Sequence, residues 1–455
     1  MHPWAGDAVI YHIYPLGLCG APRRNDLAGP AHNRLQRLFP WLDHARSLGA
    51  SAVLLGPVWE SGSHGYDVVD YQRVDRRLGD RKALLRLVEE VHTRGMRLVL
   101  DGVFNHVGRE FGAFKDVREK GPQSAYVNWF HLDFKGTSPW HDPFSYQTWN
   151  GCYDLVKLNL GNPEVRGHLL QALASWIREY DIDGLRLDAA DHLELGFIRE
   201  LAHCCRGLKP DFWLMGEVVK GPYTPWLEEA GLDSVTNYEC YKGLYSSLND
   251  ANYHEIAYTL RRHFGEEGLY REKSLCSFVD NHDVTRAASR LGNPVHLYPL
   301  YCLLFTIPGT PAIYYGSEFG IEGVKSRKDD WPLRPRLELD ELLAAPPHAD
   351  LVRAVTRLAH LRRELPALCR GNFQQHFLSH RRLVFSRRTS EQWVMVAVSA
   401  EPKPIDQKVT LSEPISGRLV DLLNPGQQFE IKDGEAVLSP LWPCWARVMK
   451  VETTG

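Results

Sequence analysis

The sequence predicts an α/β protein built on a (β/α)8 TIM barrel. Short runs of β-branched and aliphatic residues alternate with longer helix-like segments, the pattern typical of a parallel sheet covered by helices. Eight such runs precede residue 320, and eight is the number of strands that closes this barrel. The predicted strands are residues 8–13, 52–55, 97–104, 184–188, 212–217, 233–237, 274–280 and 312–315.

The segments between these runs have the pattern of helices with one apolar face. "DRKALLRLVEEVHTRG" (80–95) repeats apolar residues at three- and four-residue steps and ends in glycine. The segment 162–184 begins with Asn162 as a helix cap and Pro163 at the first helical position. Both segments lead directly into the next strand, so reactive side chains are expected at the C-terminal ends of the strands.

Two segments depart from the alternation and define the predicted domains. Residues 108–160 are aromatic and irregular, and they are too long for a plain loop, which predicts a small inserted subdomain lining a site. From residue 369 the pattern becomes two-residue alternation with turns, which predicts a C-terminal antiparallel β-sandwich. We therefore expect barrel segments at 1–107 and 161–368, the inserted subdomain at 108–160 and the sandwich at 369–455.

Composition excludes several classes of protein. The 455 residues are 44% hydrophobic and 24% charged, which is ordinary for a soluble globular chain, and the formal net charge of -3 gives no case for nucleic acid or an acidic membrane surface. The nine cysteines are scattered without a Cys-x-x-Cys pair, so neither a disulfide framework nor a zinc site is indicated. We predict no signal peptide and no membrane span, because the N-terminus lacks a basic start and the longest apolar stretch (298–316) contains Pro308, Gly309 and Pro311. A cytoplasmic location is expected.

Polar side chains are concentrated where four predicted strands end. They are Asp101, Asn105 and His106 after strand three, Arg186 and Asp188 after strand four, Glu217 after strand five, and Asn281, His282 and Asp283 after strand seven. A single carboxylate at a strand end is most often a cap or an ion pair. Four ends with the same chemistry share one rim of a barrel, and unpaired carboxylates near a core cost several kcal/mol each, so the pattern favours a functional site.

Clustered carboxylates without metal-ligand spacing are typical of glycoside hydrolysis, in which one carboxylate is the nucleophile and another donates a proton. Arg186 lies two residues before Asp188 and therefore on the same side of the strand, where its charge should keep Asp188 ionised and nucleophilic. Glu217, with two aspartates close by, is the better proton donor. The spacing along the chain does not choose between retaining and inverting geometry.

Several motifs together resemble those of one known family. "DGVFNH", "GLRLDAADH", "GEV" and "FVDNHD" are similar to the four ordered signature regions of the α-amylase superfamily of glycoside hydrolases. "YHIYP" near the start, "HGYD" at 64–67 and "GTPAIYYGSEFG" at 309–320 are similar to its further landmarks. The resemblance extends over the whole barrel.

The resemblance implies an α-retaining double displacement. Asp188 would be the nucleophile, Glu217 the general acid/base and Asp283 a third carboxylate that binds sugar hydroxyls. The implied sugar-binding residues are Tyr66, Asp101, His106, Arg186, His282, Asp330 and Arg334. Tyr66 would stack on the sugar and Asp330 would pair with Arg334 to close the donor pocket, although Tyr66 could instead pack the rim and the charges of 325–334 could be solvated loop charges.

The sequence also departs from the family pattern. Asp191 and His192 follow the nucleophile where starch-degrading amylases often have Lys-His, which changes the charge near the acceptor sugar. "LVKLN" at 155–159 is closer to the cyclomaltodextrinase and neopullulanase group, but with the first strand at residue 8 we expect that group's extra N-terminal domain to be absent. No cofactor is expected, and calcium at Asn105 is not favoured because further oxygen ligands are not recognisable.

These observations predict an enzyme that hydrolyses α-1,4-glucosidic bonds in maltooligosaccharides or cyclodextrins, with an oligosaccharide as its partner and no nucleic acid or membrane. The motifs leave open a transglycosylase, or an isomerase of the sucrose or trehalose type, with the same catalytic residues. A noncatalytic sugar-binding relative is disfavoured because all three carboxylates are present. The sequence carries no signal for an oligomeric state.

Overall fold

The eight predicted strands all form in the computed structural model, which describes residues 2–327 and 329–454. The barrel strands are β1 Ile10–Ile13, β2 Ala52–Leu55, β3 Arg97–Gly102, β4 Gly184–Leu187, β5 Trp213–Gly216, β6 Ser234–Val235, β7 Cys276–Phe278 and β8 Thr310–Tyr314. Several end earlier than predicted, because the polar residues that follow them leave the sheet and turn onto the rim. Strand β3, for example, ends at Gly102 and not at residue 104.

The strands are parallel and form a closed barrel. Their order is β6-β5-β4-β3-β2-β1-β8-β7, so consecutive strands are neighbours in the sheet. A parallel bridge between Thr236 and Cys276 joins the two ends of this order. The predicted TIM barrel is therefore confirmed.

Helices follow most of the strands and cover the barrel. They are α1 Pro15–Leu18, α2 Phe39–Ser47, α3 Arg81–Thr93, α4 Gly112–Lys120, α5 Pro163–Tyr180, α6 Leu195–Leu208, α7 Tyr238–Asn249, α8 His254–Phe264, α9 Ala287–Arg290, α10 Leu297–Thr306, α11 Leu339–Ala344, α12 Ala349–Glu364 and α13 Pro366–Arg370. Asn162 caps α5 as predicted, since its side chain accepts a hydrogen bond from the Glu164 amide. In the residues that the structure describes, no helix is long and apolar enough to cross a bilayer.

The segment after β3 forms a compact unit beside the rim. It contains α4 and two small antiparallel sheets, one formed by His106–Gly108, Thr148–Trp149 and Cys152–Lys157 and the other by Leu132–Asp133 and Ser145–Tyr146. Its interior is aromatic, with Phe114 packed against Phe130, Phe144 and Tyr146. Lys157 is paired with His106, so the unit is attached next to the end of β3.

The C-terminal region is antiparallel throughout, as predicted. Its strands are Asn372–Leu378, Arg382–Arg388, Trp393–Ser399, Ile405–Thr410, Gly417–Asp421, Gln428–Lys432, Glu435–Leu441 and Trp445–Thr453. They form one continuous sheet that folds over a separate apolar core, which includes Met395, Leu419 and Met449. The two edge strands meet where the His376 Nδ1 atom lies 3.1 Å from the Thr410 carbonyl oxygen.

Two buried arginines lie where the barrel meets the C-terminal region, and Arg387 connects the two. The Arg387 Nη1 atom donates to the carbonyl oxygens of Thr306 and Leu368 at 2.9 and 2.7 Å, and the Arg362 Nη1 atom donates to that of Phe305 at 2.9 Å. Burial, together with the neighbouring charge of Arg362, lowers the pKa of Arg387 to about 9. These guanidinium groups therefore satisfy buried carbonyl groups at the boundary of the two regions.

A further buried carboxylate lies at the opposite end of the barrel from the rim. Asp183, just before β4, accepts hydrogen bonds from the Leu98 amide at 2.9 Å and from Arg97 and Lys209 at 2.8 and 3.0 Å, and contacts His92 Nε2 at 2.8 Å. Burial alone would raise the pKa of Asp183, but these hydrogen bonds outweigh burial and hold it well below its ordinary value. Asp183 is structural because it lies far from the rim where β4 ends.

Candidate active site

The predicted carboxylates meet at the C-terminal rim of the barrel because of the strand register. In the parallel pair β3 and β4, Arg186 lies opposite Asp101, and in the pair β4 and β5 it lies opposite Met215. Asp188 and Glu217 each lie just beyond the end of their strand. Both side chains therefore lie beside Arg186 in the space at the centre of the rim, which we call the hollow.

Arg186 is the centre of this cluster. Its Nη1 atom lies 2.7 and 2.6 Å from the two carboxylate oxygens of Asp101 and 3.3 Å from Asp188 Oδ1. Its Nη2 atom lies 2.8 Å from Glu217 Oε2. With 3% of its side chain exposed, one guanidinium connects three carboxylates in a low-dielectric environment.

Arg186 favours the ionised form of Asp188, as expected, but burial and the neighbouring carboxylates act against it. Burial, together with the charges of Glu217 and Asp101, raises the pKa of Asp188 well above its ordinary value, and Arg186 only opposes that shift. The physical reason is the geometry, since Arg186 lies closer to Asp101 and Glu217 than to Asp188. Three carboxylates around one guanidinium therefore favour retention of a proton within the cluster.

Glu217 lies directly beside Asp188. Its Oε2 atom accepts a hydrogen bond from the Ala189 amide at 3.1 Å in addition to the contact with Arg186. Its Oε1 atom accepts a hydrogen bond from the Tyr238 hydroxyl at 3.3 Å. Because Ala189 follows Asp188 in the chain, the carboxyl group of Glu217 is held within a few ångströms of the start of the Asp188 side chain.

Asp283, just beyond the end of β7, has its own two partners. Its Oδ2 atom is 2.9 Å from His282 Nε2, and its Oδ1 atom is 2.8 Å from Arg334 Nη2. Burial would raise the pKa of Asp283, but the charges of His282, Arg334 and Arg186 outweigh burial and hold it well below its ordinary value. The predicted pair of Asp330 and Arg334 also forms, with an N to O distance of 3.5 Å, so these two are not separate solvated charges.

Aromatic rings form one wall of the hollow. The His282 ring lies between Tyr66 and Tyr14, with centroid distances of 5.4 and 5.9 Å and near-parallel planes. The Tyr66 hydroxyl donates to Asp101 Oδ2 at 3.0 Å and also contacts His282 Nε2. Tyr66 therefore packs the rim in this structure, and stacking on a sugar stays a prediction.

Asp101 is buried beneath the rim and contacts two other residues of the site. Its side chain is 0% exposed, and its oxygens are occupied by Arg186 and Tyr66. A sugar in the hollow would meet those two side chains before it met the carboxylate. Asp101 therefore positions Arg186 and Tyr66 in this structure, and its contact with a sugar stays a prediction.

His106 presents a free ring nitrogen toward Asp188. Asn105 Nδ2 lies 3.1 Å from His106 Nδ1, which leaves the proton of the neutral ring on Nε2, and this atom is 4.0 Å from Asp188 Oδ2. Burial, with the nearby charges of His64 and His192, lowers the pKa of His106 to about 3, so the ring is neutral near pH 7. The Nε2 atom is buried and has no hydrogen-bond partner within the described chain, so it is available to a bound hydroxyl.

Asn105, the position considered for calcium, has one free oxygen in the part of the chain that the structure describes. Its Oδ1 atom is buried without a partner, but its backbone oxygen accepts a hydrogen bond from the Leu158 amide at 3.0 Å. Across residues 2–327 and 329–454, no group of three or more His, Cys, Asp or Glu side chains is arranged to hold a metal ion. Calcium takes six to eight oxygen ligands, including carbonyl oxygens and water, so the expectation that calcium is not bound here stays a prediction.

Some residues of the site are missing from the sequence prediction. Tyr238, the first residue of α7, contacts Glu217. Its hydroxyl also lies 3.4 Å from Nδ2 of Asn281, which the sequence analysis did place at the rim. Tyr14 supports His282, and Trp149 packs beside His106 at a centroid distance of 5.8 Å. Tyr238 directly follows a predicted barrel strand, a position that could have marked it. Trp149 lies in an irregular segment, where position along the chain carries no such signal.

A TIM barrel with paired carboxylates and a guanidinium at its C-terminal rim has the architecture of a glycoside hydrolase. Residues 34–341 match the family model described as "Alpha amylase, catalytic domain". This match covers more than half of the chain. The chain therefore belongs to the α-amylase family of glycoside hydrolases and is an enzyme of that type.

Individual relatives agree with this assignment. The chain is 31% identical over 435 residues to a cyclomaltodextrinase from Geobacillus thermopakistaniensis (strain MAS1), covering 89% of this chain and 72% of that protein. It is 31% identical over 413 residues to an intracellular maltogenic amylase from Bacillus subtilis, covering 86% and 68%. Among solved structures, the cyclic α-maltosyl-(1→6)-maltose hydrolase from Arthrobacter globiformis has a TM-score of 0.81 and 27% identity, covering 99% of this chain and 100% of that one.

Proposed function

We propose that this enzyme is a retaining α-glycosidase that cleaves α-1,4-glucosidic bonds in maltooligosaccharides or cyclodextrins. The observation that carries the proposal is the contact of Asp188 and Glu217 with the same guanidinium, at 3.3 and 2.8 Å. A shared counter-ion keeps the two carboxyl groups close together. Retaining enzymes separate them by about 5 Å, whereas inverting enzymes need about 6.5 to 9.5 Å to admit a water molecule.

In the first step, Asp188 attacks the anomeric carbon while Glu217 protonates the departing glycosidic oxygen. The carbon to oxygen bond of the substrate breaks, and a covalent bond forms between the sugar and Asp188. The step needs Asp188 ionised and Glu217 protonated. Because the carboxyl groups of the cluster share Arg186, a single proton moving from Asp188 to Glu217 produces this form without a change in the total charge.

In the second step, Glu217 takes a proton from water, and the resulting hydroxide attacks the anomeric carbon and releases Asp188. Asp283 stays ionised because of His282 and Arg334, so it can accept hydrogen bonds from sugar hydroxyls. His106 donates from its unpartnered Nε2 atom toward the same sugar. Two inversions at one carbon leave the α configuration unchanged.

The substrate class is supported by the site and by the relatives. The described lining holds acceptors and donors for hydroxyl groups, and the Tyr66 ring, supported on one side by His282, is the aromatic surface proposed to meet the sugar. The relatives named above are a cyclomaltodextrinase, a maltogenic amylase and a hydrolase of a cyclic maltosyl-maltose. A cytoplasmic location is proposed on the intracellular relative from Bacillus subtilis.

The test is a time course with maltotriose, a cyclodextrin, pullulan, sucrose, trehalose and isomaltose, with products identified by chromatography. We expect hydrolysis of maltotriose and cyclodextrin, and proton NMR of the first products should show the α anomer before mutarotation. A first product with the β anomer would refute the retaining mechanism. Products longer than maltotriose, or isomers of sucrose or trehalose, would refute hydrolysis as the main reaction in favour of transfer.

A pair of variants links the activity to the cluster. Glu217→Gln should abolish cleavage of maltotriose, whereas Asp340→Asn, an exposed carboxylate on α11, should leave it unchanged. The two substitutions make the same chemical change, from a carboxyl group to an amide. Equal activity of the two variants would refute the assignment of Glu217.

A further inference from the structure

We propose that Tyr238 is a positioning residue that sets the orientation and proton affinity of Glu217. The Tyr238 hydroxyl lies 3.3 Å from Glu217 Oε1 and 3.4 Å from Asn281 Nδ2. The inference rests on the proposed function, since it assumes that Glu217 donates the proton.

The hydrogen bonds of Glu217 decide which oxygen holds the transferable proton. Its Oε2 atom faces Arg186 Nη2 and the Ala189 amide, and both of these groups can only donate. A proton on Oε2 would lie between two donors, so Oε2 is the unprotonated oxygen. In the described chain Oε1 contacts one donor, the Tyr238 hydroxyl, whereas Oε2 contacts two. A protonated carboxyl oxygen can still accept a hydrogen bond, so the transferable proton belongs to Oε1.

Asn281 determines the direction of the Tyr238 hydrogen bond. The Asn281 Nδ2 group donates to the Tyr238 oxygen, while Asn281 Oδ1 accepts a hydrogen bond from the Asp283 amide at 2.8 Å. With its oxygen already accepting from Asn281, the Tyr238 hydroxyl has its own proton free to donate to Glu217 Oε1. The result is a chain of donors from Asn281 through Tyr238 to Glu217, which connects the ends of β5, β6 and β7.

The position of Tyr238 is rigid. It is the first residue of α7, and the preceding Asn237 caps that helix by accepting a hydrogen bond from the Cys240 amide. The Tyr238 ring packs edge-on against Phe278 at a centroid distance of 5.0 Å and against Tyr241 at 6.1 Å. A fixed ring holds the hydroxyl at one place on the rim.

The charged surroundings favour the neutral phenol. The charged groups that face the hydroxyl are Glu217 after β5, Asp283 after β7 and Arg186 on β4, and Tyr241 is the titratable neighbour on its own helix. Burial, followed by the charges of Glu217 and Asp283, raises the pKa of Tyr238 well above its ordinary value. Tyr238 thus stays a donor across the working pH range, and its hydrogen bond stabilises the ionised form of Glu217 more than the protonated form.

The experiment compares wild type, Tyr238→Phe and the control Tyr241→Phe, which removes a hydroxyl from the same helix without touching Glu217. Tyr238→Phe should lower kcat/KM for maltotriose by about tenfold, the size of a lost hydrogen bond to a charged group. The basic limb of its pH profile should move to higher pH, because an ionised Glu217 without this donor binds its proton more tightly. Tyr241→Phe should match wild type in both measurements.

A second substrate separates positioning from a structural effect. In α-maltosyl fluoride the fluoride leaves with little help from an acid, so the loss in kcat/KM for Tyr238→Phe should be less than about threefold. An equal loss on both substrates with an unmoved basic limb would overturn the inference. If Tyr238→Phe does not fold, Asn281→Ala replaces it, and its basic limb should move in the same direction by a smaller amount; an unmoved limb would overturn the inference equally.

Glu217→Gln is included in the same series to separate the two proposals. Inactive Glu217→Gln with wild-type behaviour of Tyr238→Phe would refute the role of Tyr238 and leave the proposed function standing. Fully active Glu217→Gln would refute the proposed function itself. Both proposals are supported by one combined result. Glu217→Gln is inactive, and Tyr238→Phe loses kcat/KM on maltotriose more than on α-maltosyl fluoride and has its basic limb at higher pH.

Discussion

Removal of the central guanidinium is the sharpest perturbation of this site. In Arg186→Met a neutral side chain of similar length replaces the group that contacts Asp101, Asp188 and Glu217. At an effective dielectric constant of about 20, two charges about 4 Å apart interact by roughly 4 kcal/mol, which corresponds to about a thousandfold in rate. We expect kcat/KM for maltotriose at pH 7 to fall by about a hundredfold to a thousandfold.

The pH dependence should change with a defined sign. Burial already raises the pKa of Asp188, and Arg186 opposes this, so the loss of Arg186 raises it further. Attack requires the ionised form of Asp188, and the acidic limb of the kcat/KM profile should therefore move to higher pH in Arg186→Met. The assay is the release of glucose or maltose from maltotriose across the pH range in which the protein stays folded.

The free energy of unfolding tests the same cluster independently of activity, and a second substitution should restore it. Arg186→Met leaves Asp101 buried without its counter-ion, which should lower the free energy of unfolding by about 3–5 kcal/mol. The double variant Asp101→Asn with Arg186→Met removes that unpaired charge, so it should regain most of the stability but not the activity. An unmoved acidic limb in Arg186→Met, or a double variant no more stable than the single one, would refute this account of the cluster.

Three further predictions concern single groups. Asp188→Asn should reduce kcat on maltotriose by at least about a thousandfold with an unchanged melting temperature, and turnover near that of wild type would exclude Asp188 as the nucleophile. Asp183→Asn should lower the free energy of unfolding at pH 7 by about 2 kcal/mol. Because the pKa of Asp183 is lower in the folded state, its stabilisation is present above the unfolded-state pKa and is lost as pH falls, so urea titrations of wild type and variant should converge in acid; a constant gap would contradict this. Arg387→Leu leaves buried carbonyl groups unpaired at the boundary with the C-terminal region and should destabilise the protein by about 3 kcal/mol, whereas exposed Arg353→Leu on α12 should change stability by less than about 0.5 kcal/mol.

Asp191 makes a contact in the structure that its motif does not reveal. From the sequence we predict a negative charge near the acceptor sugar, because Asp191 closely follows the predicted nucleophile Asp188. In the structure, Asp191 Oδ2 accepts a hydrogen bond from the Val219 amide at 3.2 Å, two residues beyond Glu217. Part of this carboxylate therefore serves to hold the loop after β5, a role that only the spatial neighbourhood reveals.

The barrel, the order of its strands and the carboxylates at their ends could be predicted from the sequence. These features follow from local information, since the alternation of apolar runs and helical periodicity marks each element, and the motifs lie where the elements stop. The sequence also predicted the C-terminal antiparallel region, because two-residue alternation is visible in strands such as Trp393–Ser399. The continuity of that sheet was not visible, since pairing between distant strands leaves no local signal.

How the charges of the site are shared could not be predicted from the sequence and depends on the fold. Strand register places Arg186 opposite Asp101, so the guanidinium has Asp101 and Glu217 as its nearest partners and Asp188 as its more distant one. It also brings Tyr238 from the end of β6 to Glu217 at the end of β5. Proton affinity depends on burial and on distances of a few ångströms between side chains from different strands, and neither quantity is encoded in the spacing of residues along one strand.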